Sequence, residues 1–405
     1  MEDQNTNSNI HRRIYLDNAA TTPVAGEVFR EMIPYLTTYY GNPSSLHSLG
    51  YESNRGIKLA RKRVSTLIGA LPSEIVFTGS GTEADNLAIK GAAHFARDRF
   101  PKKNHIITTT IEHDAVMESC KDLEREGFKI SYIPVNSEGF VNLAKFEESI
   151  ANESTALISI MLANNETGTI QPIHELVTIA HSKVEKVLFH TDAIQALGKI
   201  PINCHELGID LMSISSHKIN GPKGVGGLFV KKGSAISPII SGGGQESYLR
   251  SGTENVHGIV GFGKACELSM DQVHDFKTRV RKIRDYLVER VVSSIPSARS
   301  NGPLDPECRL PNIAHFTFKG INGEDLIIKL DEYGIAASTG SACSTKKKKE
   351  SHVLRSMGFS PLEISGSLRF SLGPGNTMKD VEEAALTLKL VIEELRRLSP
   401  YSTAS

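Results

Sequence analysis

The feature that most limits how this chain can fold is an alternation, over its first two-thirds, of short apolar runs with amphipathic stretches. Segments 74–78 (EIVFT), 105–109 (HIITT), 157–161 (LISIM), 187–190 (VLFH), 211–214 (LMSI) and 227–230 (GLFV) read as strands. Between them, 115–126 and 173–181 carry apolar residues at helical spacing. Strand and helix in turn predict an α/β fold, with a largely parallel sheet covered on both faces. Such sheets bind ligands at the carboxyl ends of their strands, so the polar residues that follow each run are the ones to weigh.

After about residue 262 the texture changes. A long helical pattern over 263–292 leads to strand-like 312–318, a helix at 324–333 and a short strand at 335–337. A stretch rich in Gly, Ser, Thr and Lys follows at 338–349, then a strand at 366–372. The closing helix, 378–398, carries Val381, Ala385, Leu388, Ile392 and Leu395 on one face. The expected organisation is a large domain over 14–262 and a smaller α+β domain over 263–405, after a flexible polar tail at 1–13. Lys plus Arg equals Asp plus Glu at 46 each, which gives no reason to expect nucleic acid or a membrane surface as partner. No apolar run approaches the roughly 20 residues of a membrane span. The five cysteines (Cys120, Cys204, Cys266, Cys308, Cys343) are scattered and include no CxxC. That argues against a disulfide framework or a metal site, and for a reducing, cytoplasmic setting.

Five constellations carry chemistry. Lys218 ends an apolar strand and enters the turn INGPKG, where a desolvated lysine is suited to form a Schiff base; a lysine capping a strand edge reads equally well. Asp192 closes the strand before it, where a carboxylate could hold a protonated ring nitrogen or simply cap a helix. Gln195 follows within reach of the same ring. The turn GSGTEA at 79–84, between a strand and a helix start, is a ready phosphate site. It also fits the dinucleotide fingerprint, but the acid expected at the end of the next strand comes late, at Glu112. His113 could lie against an aromatic cofactor and move a proton, though a solvated loop histidine is the commoner case. Cys343 sits in a stretch without apolar periodicity, expected to be a mobile surface loop, with four lysines at 346–349 just behind it. Positive charge there favours the reactive thiolate, whereas Cys120 and Cys266 fall in helical patterns and read as structural.

Taken with GNPSS at 41–45, NNETG at 164–168, SHKINGPKG at 216–224 and RSGT at 250–253, the chain resembles the cysteine desulfurases of the nitrogen-fixation and iron–sulfur-cluster type. These are fold-type-I pyridoxal-phosphate enzymes of the class V aminotransferase family. The resemblance implies a mostly parallel seven-stranded sheet in the large, cofactor-binding domain, and a small domain bearing the catalytic cysteine. It implies conversion of L-cysteine to L-alanine, with Lys218 carrying pyridoxal 5'-phosphate and Cys343 receiving the sulfur as a persulfide. Asp192 would partner the ring nitrogen, His113 would stack on the ring, and Asn165 and Gln195 would contact the ring or its hydroxyl. Gly81, Thr82, Ser215 and His217 would hold the phosphate, joined by Thr253 from the second subunit of a homodimer. Arg369 would clamp the substrate carboxylate, with Asn42 beside it. The implied partner is a sulfur-acceptor protein, an iron–sulfur scaffold or a sulfur carrier for thiolated cofactors or tRNA. Cys343 could meet a nascent cluster there, and the lysine run 346–349 would favour an acidic acceptor. A selenocysteine lyase and an aminotransferase of the same fold are the alternatives.

Overall fold

The computed structural model describes residues 13–150, 153–184, 186–340 and 350–398. Its strands, in chain order, are β1 (Ile14–Tyr15), β2 (Ile75–Thr78), β3 (His105–Thr109), β4 (Lys129–Ile133), β5 (Thr155–Ser159) and β6 (Leu188–Asp192). They continue with β7 (Leu211–Ser215), β8 (Gly226–Val230), β9 (Ala298–Asn301), β10 (Ile313–Phe318), β11 (Ile335–Ala336) and β12 (Ser367–Ser371). Seven of them form one sheet in the order β2-β8-β7-β6-β5-β3-β4. The pairs from β7 through β4 are parallel, and β8 runs against both β2 and β7. The expected mostly parallel seven-stranded sheet is therefore present.

Successive side chains of a strand point to opposite faces, and here both faces are apolar. Val76, Ile106, Leu157 and Leu228 pack under helices Gly81–Arg99 and Asp114–Arg125. Their neighbours Ile75, Phe77, Ile107, Ile158 and Phe229 face helices Ser48–Leu67, Ile173–Lys183 and Val256–Asp275. Burial on both faces explains why these strands read as nearly continuous apolar runs. A second core gathers around β10 and β12, with helices Arg281–Ser294, Gly323–Glu332 and Met378–Leu398. Ile14 and Leu16 also belong to it, because β1 pairs in parallel with β11.

Two local expectations change. The helical pattern of 263–292 is two helices, Val256–Asp275 and Arg281–Ser294, joined by a π-helical turn at Phe276–Val280. The first begins earlier than its apolar pattern because Asn255 caps it, accepting the Gly258 N–H at 3.2 Å. Strand β4, at one edge of the sheet, escapes a hydrophobicity reading because it is half exposed, with only Ile133 buried, whereas β2 at the other edge is buried throughout.

Candidate active site

Four of the singled-out segments meet at the carboxyl ends of parallel strands. Strand β6 ends in Asp192, β7 ends in Ser215 and passes through a 3-10 turn to Lys218, and β3 leads to His113. Strand β2 leads through Gly79 and Ser80 to helix Gly81–Arg99. This is where crossover connections leave the strands, so residues distant in sequence are brought together by the order of the sheet.

The Lys218 amine donates to the carbonyls of Ala19 and Ala20 at 2.6 and 2.7 Å. The Ala19 carbonyl also accepts from Gln195 Nε2 at 3.0 Å. The other end of that amide, Gln195 Oε1, is buried with no hydrogen-bond partner among the described residues. Asp192 is buried and its Oδ1 accepts the Ile194 N–H at 2.9 Å. Burial pushes the Asp192 carboxyl up, while the charges of His113 and Lys218 pull it down, so all three groups share one electrostatic neighbourhood. His113 caps helix Asp114–Arg125, its Nδ1 accepting the Ala115 N–H at 3.1 Å.

At the start of helix Gly81–Arg99, Ser80 Oγ accepts the Glu83 N–H at 3.1 Å. The N–H groups of Gly81 and Thr82 belong to its first turn, which has no intrahelical acceptor for them. The turn lies directly on β8: a Cβ on Gly226 would come within 2.6 Å of the Ser80 carbonyl carbon. A Cβ on Gly81 would run into the Ile194 side chain and lie 3.3 Å from Ser215 Cβ. Ser215 is buried beside this turn, and His217 is half-buried with Nδ1 at 3.1 Å from Thr21 Oγ1. Burial first, then the charges of Lys218, Lys223 and Lys199, pushes His217 down to about 4, so near neutrality it offers an uncharged ring.

Arg369 arrives from the second core. It is buried in β12, and its guanidinium bonds Asp17 Oδ1 at 2.8 Å and the Asn165 carbonyl at 2.9 Å, while Nε has no partner among the described residues. Asn165 is thereby joined to Arg369 through its backbone. Asn42 is exposed and spends Oδ1 on its own turn, accepting the Ser44 N–H at 2.9 Å. Thr253 and Thr82 are exposed. Cys343 and the lysine run 346–349 lie outside the described residues.

These residues fit pyridoxal phosphate. Lys218 would supply the amine and buried Asp192 the ring-nitrogen partner, and the Gly81 turn, which has no room for a side chain, would cradle the phosphate. The unpartnered Gln195 Oε1 offers an acceptor to a ligand hydroxyl.

Four polar residues near the site, Glu112, Glu166 and Lys199 buried and Asp17 partly so, were given no role in it by the sequence. Glu112 accepts the Met161 N–H on both oxygens, at 3.1 and 3.0 Å, and the Thr109 hydroxyl at 2.6 Å; burial pushes it up to about 8. Asp17 pairs with Arg369, Glu166 with Ser351, and Lys199 donates to the Gln195 carbonyl. Glu112 and Glu166 stood beside noticed residues, His113 and Asn165. Their burial follows from how distant segments pack.

The class-V aminotransferase family profile matches residues 14–384. The chain is 47% identical over 391 residues to the cysteine desulfurase IscS of Dictyoglomus turgidum, covering 96% of this chain and 97% of that protein. It is 46% identical over 392 residues to the IscS of Methanosarcina thermophila, covering 97% and 95%. Among solved structures, a NifS-like protein superposes with a TM-score of 0.88 at 40% identity, covering 95% of this chain and all of that one. SspA in complex with cysteine superposes at 0.77 and 35% identity, covering 90% of this chain and all of that one.

Proposed function

The chain belongs to the class-V aminotransferase family and, within it, to the cysteine desulfurases of the IscS and NifS kind; from that premise we propose that it converts L-cysteine to L-alanine and passes the sulfur to Cys343 as a persulfide. The observation that carries the reading is the meeting of Lys218, Asp192 and His113 beside the Gly81 helix start, with Arg369 at the neighbouring strand ends.

Pyridoxal phosphate, when bound, supplies an electron sink that loosens the bonds around the substrate's α-carbon and the bond from Cβ to sulfur. Lys218 is the residue to hold it and then to take the α-proton. Asp192 keeps a proton at the ring nitrogen, His113 flanks the ring, and Gln195 and Asn165 contact its hydroxyl side. Gly81, Thr82, Ser215 and His217 hold the phosphate. Arg369, helped by Asn42, orients the substrate carboxylate, for which a planar guanidinium offers two parallel hydrogen bonds. The Cys343 thiolate attacks the substrate sulfur: a sulfur–sulfur bond forms and the carbon–sulfur bond breaks. The electron pair of the broken bond stays on carbon, which takes up a proton to become alanine.

The phosphate site is completed by Thr253 of a second copy in a homodimer. Exposed Thr253, together with exposed Phe29, Leu36, Tyr40, Tyr51 and Tyr248, supports that arrangement. The division into a cofactor-binding domain over 14–262 and a small domain over 263–405 is supported by the separate core around β10 and β12. The setting is cytoplasmic, in keeping with free Cys120, Cys204, Cys266 and Cys308. Among the described residues no helix is long and apolar enough to cross a membrane. The acceptor is a sulfur-carrying or cluster-building protein whose acidic face suits the lysine run 346–349.

The test compares the parent with Cys343→Ala, each given pyridoxal phosphate, cysteine and a reductant. Both should bind the cofactor and show its absorption band, and only the parent should release alanine and sulfide. Equal activity in the variant would remove the persulfide route, leaving a lyase or aminotransferase reading.

A further inference from the structure

Gly340 and Glu350 flank the segment that holds Cys343, and the chain on both sides of it converges on one buried carboxyl, Glu166. Glu166 lies in the turn after β5, where its N–H and that of Thr167 both donate to Asn164 Oδ1, at 2.9 and 3.0 Å. Asn164 is in turn tied to the Ile111 carbonyl at 3.2 Å. The carboxyl is therefore set by a turn that is itself braced against the sheet.

On the far side of the segment, Ser351 Oγ donates to Glu166 Oε2 at 2.6 Å. The same hydroxyl caps helix His352–Ser356 by accepting the Leu354 N–H at 3.1 Å. On the near side, Gly340 adopts a φ of +94° and packs so closely that a Cβ would lie 3.1 Å from Glu166 Oε2. The Gly340 carbonyl accepts from Arg369 at 3.4 Å, through the same nitrogen that bonds the Asn165 carbonyl. Ser338 is held as well, exchanging backbone hydrogen bonds with Arg369 at 3.2 and 2.6 Å. Glu166 thus bonds the far stem through Ser351 and lies against the near stem at Gly340, which Arg369 holds while also bonding the Asn165 carbonyl.

A plain structural role would also explain a buried carboxylate that tethers a loop. Against it stands the sharing of the clasp with Arg369, which joins the stems to the proposed substrate-carboxylate site. Glu166 is faced by His352 and Arg369, whose charges favour its ionised form, and by Asp114, which opposes it; burial raises its pKa overall.

We propose that Glu166 is a positioning residue for sulfur transfer: it pins the two stems of 341–349 together, so that the thiol is delivered to a substrate held by Arg369. This rests on the reading of Cys343 as the sulfur acceptor. Fixing both ends of a short segment raises the effective concentration of a group it carries, and displacement by about 1 Å can cost about 100-fold in rate.

The cofactor-loaded protein should be tested on two substrates that divide the reaction. Cysteine needs the thiol, whereas β-chloroalanine loses chloride unaided and yields pyruvate and ammonia. In Glu166→Ala and Ser351→Ala, kcat for alanine from cysteine should fall about 10- to 100-fold. The cofactor band and pyruvate formation should stay within about twofold, because neither calls on the stems. Glu166→Gln, which keeps an oxygen acceptor for Ser351, should recover most of the cysteine activity. The proposal is overturned if both reactions fall together in Ser351→Ala and Glu166→Gln, since that reports general damage, or if neither falls in any variant. Full cysteine activity in Cys343→Ala would instead overturn the underlying reading, whatever the Glu166 variants do.

Discussion

Replacing Lys199 with methionine should stabilise the protein near neutral pH and cease to do so in alkali. Lys199 follows the turn after β6, is 2% exposed, and donates from its amine to the Gln195 carbonyl at 2.8 Å. Burial, reinforced by the charge of Lys218, pushes it down from 10.5 to about 7. Between those two values the unfolded chain holds a proton on this amine and the folded chain does not, so stability rises with pH across that window. At about 1.4 kcal/mol per pH unit, keeping the lysine costs about 4 kcal/mol at pH 7 and about 1 kcal/mol at pH 9.5. Methionine preserves the length and removes the charge, but strands the buried Gln195 carbonyl, at a cost of about 2 kcal/mol. The difference leaves Lys199→Met more stable by about 2 kcal/mol at pH 7 and slightly less stable at pH 9.5, with equality near pH 9. Guanidinium unfolding at fixed protein and pyridoxal-phosphate concentrations would measure both values, since ligand and dimer concentration shift the midpoint. A variant less stable at pH 7, or a difference unchanged between the two pH values, would refute the reasoning.

Arg369→Lys keeps the charge but not the two-pronged geometry, so about one charge-assisted hydrogen bond to the substrate carboxylate is lost. A loss of about 1.5–3 kcal/mol corresponds to a fall of about 10- to 100-fold in kcat/KM for cysteine, with the cofactor band retained. An unchanged kcat/KM would take Arg369 out of substrate binding. Gly226→Ala would drive a methyl into the Ser80–Gly81 backbone, where the nearest atoms cannot swing aside as a side-chain tip can. A strain of about 1–3 kcal/mol at the anion cradle should weaken pyridoxal-phosphate affinity about 5- to 150-fold. Titration of the apo-protein with cofactor would show it, and wild-type affinity would mean that the turn does not hold the phosphate.

Much of the fold was legible in the chain because its signals are local. The buried strands of the large sheet announce themselves as apolar runs, since each is covered on both faces, and within that sheet β4, an edge strand and half exposed, is the one that stayed hidden. Lys218, Asp192 and His113 could be picked out because each stands where a strand ends, the position that an α/β sheet assigns to ligands. The break between helices Val256–Asp275 and Arg281–Ser294 had no such signal, because no Gly or Pro punctuates the pattern there.

By itself, then, the amino-acid sequence determined the class of fold, the strand-end residues and, through its motifs, the family. The tertiary structure alone decided the roles that depend on burial. Lys199 and Glu166 look like ordinary polar residues until packing removes them from water, which moves their pKa values and leaves each with few partners. Asp17 and Arg369 are separated by most of the chain and meet at 2.8 Å only because β1 and β12 belong to the same core. Local patterns record which surface a segment must bury, but the identity of the group waiting on the other side is set by sheet order and register. Those depend on contacts between residues from tens to hundreds of positions apart.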